Sequence, residues 1–239
     1  MNINFNYIKV ILLLGLVTGL FSFANYRNEK RILKHQEIVI FNKDTPFITT
    51  QDVSNLLVQN GLEIINQPKE FLDITSIERS LYENKTIKKA DVFLTLNGGL
   101  HTQIYQKQPI ARVQNSNPFY IDTEGTFMPL SKNYSARVPF VVGDVNQSNF
   151  KSAYTFSKYI YHDLFFKSMV YEIRQHQDET LSFKIRGADF IVYLGKAVQL
   201  QKKLNNFKAF YQKAKKDNHL TKYSKVNLKF TSQVICSKK

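Results

Sequence analysis

The chain of 239 residues holds one cysteine, Cys236, with only nine glycines and six prolines. A single thiol excludes a disulfide framework and every cysteine-rich zinc site. So little glycine and proline excludes collagen-like and low-complexity classes. The five histidines, His35, His101, His162, His176 and His219, never fall at an i, i+4 spacing, so no helical metal signature exists. There is no Gly-x-Ser-x-Gly elbow, no phosphate-binding Gly-Lys-Ser/Thr loop and no Gly-x-Gly-x-x-Gly. Asp122-Thr123-Glu124-Gly125 resembles an aspartic-protease triplet only loosely, and a plain β-turn is the better reading. No residue pattern points to catalysis, a cofactor, a metal or a small-molecule substrate. Long hydrophobic runs are also scarce: beyond one apolar stretch at the front, none approaches membrane length.

What is present is apolar and basic. Hydrophobic residues make up 43% and aromatics 13%, enough to fill real cores, so disorder over most of the length is excluded. Lys and Arg number 33 against 19 Asp and Glu, a net charge of +14, which favours an acidic partner. The excess is concentrated: from Lys196 to Lys239 there are twelve lysines and one acid, Asp217, a local charge of +11. Phe207, Phe210 and Tyr211 interleave with these lysines but fall mostly on one helix face, as core residues do, which argues against nucleic-acid stacking.

Tyr7 to Tyr26 is apolar apart from Lys9, Thr18, Ser22 and Asn25. Twenty helical residues span ~30 Å, the thickness of a bilayer core. Ser22-Phe23-Ala24 places small residues as a signal-peptidase site does, but one lysine makes a weak n-region, so a retained anchor is favoured over cleavage after Ala24. Lys9 lies before the span, and Arg27, Lys30, Arg31 and Lys34 follow it. By charge bias alone the larger part would face the cytoplasm.

Residues 27–37 read as a patternless connector. Ile38–Phe41 is β-prone, and Thr49-x-x-Asp52 is a capping box for a helix burying Val53, Leu56 and Leu57, with Gly61 as its stop. Asp73 caps a second helix through Ile74, Ile77 and Leu81. Ala90, Val92, Leu94 and Leu96 alternate with polar neighbours before Asn97-Gly98-Gly99, the turn of a hairpin that returns through Leu100 and Ile104. His101 falls on the outward, solvated face. Short strands and turns follow: Phe119–Ile121, Phe127–Leu130 and Val138–Gly143. A helix is predicted over Phe150–Phe165, then strands at Met169–Arg174, Leu181–Arg186 and Phe190–Leu194. Ala197–Ala214 carries Leu200, Leu204, Phe207, Tyr211 and Ala214 as an apolar stripe, with Lys202, Lys203, Lys208 and Lys213 off it. The chain closes with Val226–Phe230, an alternating strand, and Val234-Ile235.

This order resembles the bacterial cell-division family FtsQ/DivIB. Phe47-Ile48-Thr49-Thr50-Gln51-Asp52-Val53 is similar to the first helix start of the family's POTRA domain, and Gln108-Pro109-Ile110-Ala111-Arg112-Val113 to that domain's exit. Tyr120-Ile121-Asp122-x-x-Gly125, Pro129-Leu130 and Val138-Pro139-x-x-x-Gly143 resemble the opening of its β domain. Tyr223-x-x-Val226-Asn227-Leu228-Lys229-Phe230 resembles its closing strand. The expected architecture is α+β: a tail at 1–6, a transmembrane helix at 7–26, the connector, a POTRA-like β-α-α-β-β domain at 38–113 and a β-rich domain at 114–239 with a C-terminal helix and closing strand.

The resemblance implies a non-catalytic inner-membrane scaffold at the division septum, with the N-terminus cytoplasmic and both domains outside. It implies FtsB/DivIC-like and FtsL-like coiled-coil partners, which lead to the septal peptidoglycan synthase. A strand with one unpaired edge is a template for strand addition, and the family's closing strand is where such partners dock. Val226, Asn227, Leu228, Lys229, Phe230 and Thr231 are therefore the expected partner-binding residues. Alternation puts Val226, Leu228 and Phe230 on one face, leaving Lys229 free for an acidic side chain. The alternatives are a POTRA-bearing outer-membrane assembly component and a secreted basic binding protein.

Overall fold

The computed structural model describes residues 5–30, 32–33, 35–42, 45–59, 68, 71–95 and 97–239. The proposed helix stop at Gly61, and Arg31, Lys34 and Leu96, lie outside them. The chain divides into two compact units, residues 1–106 and 107–239.

The first unit begins with helix α1, Phe5–Glu29. Its segment Tyr7–Asn28 is long and apolar enough to cross a membrane, and none of that stretch is buried among the described residues. Apolar side chains surround it on all sides, as a lipid-facing helix requires. The Thr18 hydroxyl donates to the carbonyls of Leu14 and Gly15, so this polar group is satisfied within the helix.

Strand β1 (His35–Phe41), helices α2 (Thr50–Gln59) and α3 (Ile74–Glu83), and strands β2 (Ile87–Leu94) and β3 (Gly99–Gln106) follow in the β-α-α-β-β order. The sheet order is β1-β3-β2, with β1 parallel and β2 antiparallel to the central strand. The capping box forms: the Thr49 amide donates to Asp52 Oδ2 at 2.9 Å, and the Asp52 amide to Thr49 Oγ1 at 3.1 Å. Asp73 accepts from the Ser76 amide at 3.0 Å and caps α3. Both helices bury their apolar stripe, Val53 and Leu57 with Ile77 and Leu81, against Ile40, Leu100 and Ile104 of one sheet face. His101 is less solvated than expected. It is half-buried, with Nε2 3.3 Å from Glu37 and its ring stacked on Phe93.

The second unit is a nine-stranded sheet with helices on one face. Its strands are β4 (Pro109–Val113), β5 (Phe119–Asp122), β6 (Phe127–Pro129), β7 (Phe140–Gly143), β8 (Val170–Gln175), β9 (Leu181–Ile185), β10 (Ile191–Gly195), β11 (Tyr223–Asn227) and β12 (Ile235–Lys238). They lie in the order β12-β11-β10-β9-β8-β7-β4-β5-β6. Helices α4 (Lys151–His162), α5 (Leu164–Met169) and α6 (Leu200–Lys216) bury the inner face. Phe156, Phe166, Phe183 and Phe207 form its aromatic centre, with ring centroids 5.2 to 6.5 Å apart.

Four expectations need correction. The domain boundary lies after Gln106, not after Val113, because Pro109–Val113 pairs with β5 and β7 as a strand of the second sheet. The helix predicted over Phe150–Phe165 breaks at Asp163, whose carboxylate accepts from the Phe165 and Phe166 amides and starts a new helix. Leu164, which an unbroken helix would stack one turn beyond the buried Ile160, is consequently 86% exposed. Lys203, placed off the stripe, is 3% exposed, its ammonium bonded to the carbonyls of Leu194 (2.9 Å) and Lys196 (3.0 Å). Finally, the strand read as Val226–Phe230 runs from Tyr223 to Asn227, and another strand lies outside it.

Candidate functional site

A sheet of nine strands has two edges, and their chemistry differs. β6 is three residues long and ends in Pro129, which lacks a backbone donor. β12 is four residues long with no proline. Strand β11, where the open edge was expected, is covered on both sides: Val226 pairs with Val192 of β10 and with Cys236 of β12. Among the described residues nothing pairs with the outer side of β12.

The six expected partner-binding residues divide accordingly. Val226 and Asn227 close β11, and Val226 and Leu228 are buried in the core. The Asn227 side chain accepts from the Lys229 amide at 2.9 Å, an Asx turn that takes the chain out of the sheet. The Leu228 amide donates to the Tyr193 carbonyl, and Asn206 donates to the Thr231 carbonyl, fixing the loop. Lys229 and Phe230 are exposed in the loop that leads to β12. Phe230 therefore does not join Val226 and Leu228 on the packed face. Along β12, Cys236 turns toward the core, while Ile235, Ser237 and Lys238 are exposed. The Ser224 hydroxyl lies within hydrogen-bond reach of the Ser237 and Lys238 carbonyls and fastens β12 to β11.

One feature of the site is not visible in the sequence. The sheet face turned away from the helices forms a groove of about 340 Å³ beside this edge, crossing β8 to β11. Its walls carry Arg174, Lys184, Lys225, Tyr193 and His176, with Glu172 as the one acid. Glu172 is held by Lys184 at 3.0 Å, the Lys225 ammonium lies 5.1 Å from the Tyr193 ring centre, and His176 Nε2 lies 3.1 Å from Ser182 Oγ. Arg174 and Lys225 pair with no carboxylate among the described residues, so the groove combines available cations with an aromatic wall, chemistry suited to an acidic chain. These residues are the polar half of each strand's alternation, a pattern that reads as ordinary solvent-facing surface until the strands are laid side by side.

No group of three or more His, Cys, Asp or Glu side chains is placed to hold a metal among the described residues. Asp122 is buried and spent on its turn, accepting from the amides of Glu124 (3.0 Å) and Thr126 (2.7 Å), with Lys107 at 3.3 Å.

A family model for the FtsQ/DivIB C-terminal related domain matches residues 108–237, and one for a POTRA-like domain matches residues 31–105. The chain belongs to the FtsQ/DivIB family. It is a cell-division protein, from a family of non-enzymatic division scaffolds. With α1 ahead of both domains, this FtsQ/DivIB protein is a single-pass membrane protein. The nine-stranded unit is its C-terminal division domain, and the three-stranded unit its POTRA-like domain. No curated protein matches the chain.

Proposed function

We propose that this FtsQ/DivIB protein is a non-catalytic scaffold of the division septum, and that an extended segment of a coiled-coil partner adds to the outer edge of β12. The N-terminus is cytoplasmic, both domains lie outside the membrane, and FtsB/DivIC-like and FtsL-like proteins link the scaffold to septal peptidoglycan synthesis. The observation that carries this reading is the asymmetry of the two edges: β6 is blunted by Pro129, whereas β12 offers four proline-free residues beside a basic groove. Main-chain hydrogen bonds give such an addition its affinity, and side-chain contacts its specificity. Lys229 and Phe230, at the loop before β12, border the incoming strand. The local charge of +11 over Lys196–Lys239 steers an acidic segment to the edge, an effect that salt weakens.

Proline placed at Cys236 and at Ser237 in turn tests this reading, with co-purification of the organism's own FtsB/DivIC-like protein as the measurement. Successive residues of an edge strand point their amides alternately inward and outward. One of the two variants keeps its fold and loses the partner. Retention of the partner by both folded variants contradicts strand addition.

A further inference from the structure

Arg112 is a guanidinium whose bonding is incomplete. It lies on β4 between Ala111 and Val113, both in the core, so its side chain points to the open face of the sheet. The guanidinium carbon lies 5.8 Å from the Tyr120 ring centre and 5.9 Å from that of Phe140. An arginine has five N–H donors. Only one side-chain hydrogen bond is made among the described residues, from Nη1 to Ser135 Oγ at the long distance of 3.3 Å. Nε is buried and has no hydrogen-bond partner among the described residues. No carboxylate pairs with this cation among the described residues.

The surroundings favour an incoming anion. Arg112 pairs in register with Phe140, Phe140 with Glu172, and Glu172 with Lys184, one continuous row across the open face. Along β4 and β7 to β11 that face carries Arg112, Arg174, Lys184 and Lys225 against the single acid Glu172, which Lys184 already neutralises. Asp122, at the end of β5, is committed to Lys107 and its own turn. Residues 131–139, which follow β6 and belong to no helix or strand, run beside Arg112. They are fastened there by Tyr120, whose hydroxyl accepts from the Ala136 amide and meets Ser135.

We propose that Arg112 is a receptor for a carboxylate of an acidic polypeptide that crosses the open face of the sheet. The ligand completes a bidentate pair with the guanidinium fork and replaces the weak Ser135 contact. Nε is closed to solvent as it stands, so the carboxylate reaches it by displacing the Ser135 contact; once seated it removes the cost of an unpartnered buried N–H and adds a charge-assisted bond. Six strand spacings of ~4.8 Å separate β4 from β12, about 29 Å, so this is a second contact point and not part of the edge. It stands whether or not a partner strand adds to β12.

The test is a titration of the full chain in detergent micelles with a capped hexaglutamate peptide, read at the ¹⁵N–¹H resonance of Arg112 Nε. The expected result is a saturable downfield shift with hexaglutamate and none with capped hexaglutamine. Arg112→Lys keeps the charge but loses the fork, and should weaken hexaglutamate binding about tenfold. If that variant fails to fold, the wild-type resonance still decides. Absence of a shift, binding that perturbs only Arg174, Lys184 and Lys225, or an equal shift with inorganic phosphate overturns the assignment to an acidic chain. So does a shift caused by phosphatidylglycerol vesicles and not by the peptide.

Discussion

The Lys203 ammonium donates to the Leu194 carbonyl at 2.9 Å, tying α6 to the end of β10 from inside the protein. Its second acceptor, the Lys196 carbonyl at 3.0 Å, belongs to the turn between the same two elements. Lys203→Met leaves both carbonyls without this donor, at a cost of about 1–3 kcal/mol. Thermal unfolding of the variant measures it. Burial holds the Lys203 pKa below its usual value, so at alkaline pH the folded state binds fewer protons than the unfolded chain. This group's contribution to stability therefore rises with pH between the two pKa values, and the rise disappears in Lys203→Met.

Asp163 combines a helix cap with an ion pair, its Oδ2 lying 2.6 Å from Lys208 Nζ. Burial pushes its pKa up, but the Lys208 hydrogen bond and the Phe166 and Phe165 amides outweigh that and hold the carboxyl below its usual range. A depressed carboxyl stabilises the fold above its unfolded pKa, and this contribution is lost as pH falls through the folded value. Asp163→Ala should cost about 1 kcal/mol at neutral pH, mainly from the cap, and nothing in strong acid. Denaturant midpoints at several acidic pH values show whether the difference vanishes.

Gly143 has φ +96°, and a Cβ there would strike the Gln175 carbonyl oxygen. Backbone, not a flexible side chain, stands in the way. Gly143→Ala is expected to destabilise the nine-stranded unit by on the order of 1–3 kcal/mol, measured by denaturant unfolding, while the POTRA-like unit keeps its transition.

Cys236 is half-buried on β12, and burial raises its thiol pKa. It should react with iodoacetamide more slowly than free cysteine at pH 8. Cys236→Ser should retain the fold and the partner, as seen by circular dichroism and co-purification. Rapid alkylation of the folded protein contradicts a thiol shielded by burial.

Where a local rule governs, the sequence is readable. Thr49 with Asp52 and Asp73 with Ser76 form the caps their spacing predicts, and the Leu204, Phe207, Tyr211 and Ala214 stripe is buried as drawn. The failures occur where tertiary partners override a period. The apolar repeat runs through Asp163 without interruption, yet the aspartate caps and restarts the helix. The alternation of Val226–Phe230 continues past Asn227, whose side chain turns the backbone away. Ile-Cys-Ser-Lys is too short and too polar to announce itself as the outer strand. The burial of Lys203 depends on carbonyls at the end of β10, which no helical wheel displays. The groove is a property of four strands together, so no single segment carries its signature.

Strand addition is tested most directly by amide hydrogen exchange in the full chain, with and without the FtsB/DivIC-like partner. Exchange at Ile235–Lys238 should slow at least about tenfold on binding, because outward amides of β12 gain acceptors. Unchanged exchange across Ile235–Lys238, with protection appearing instead on the POTRA-like unit, would contradict β12 as the docking edge.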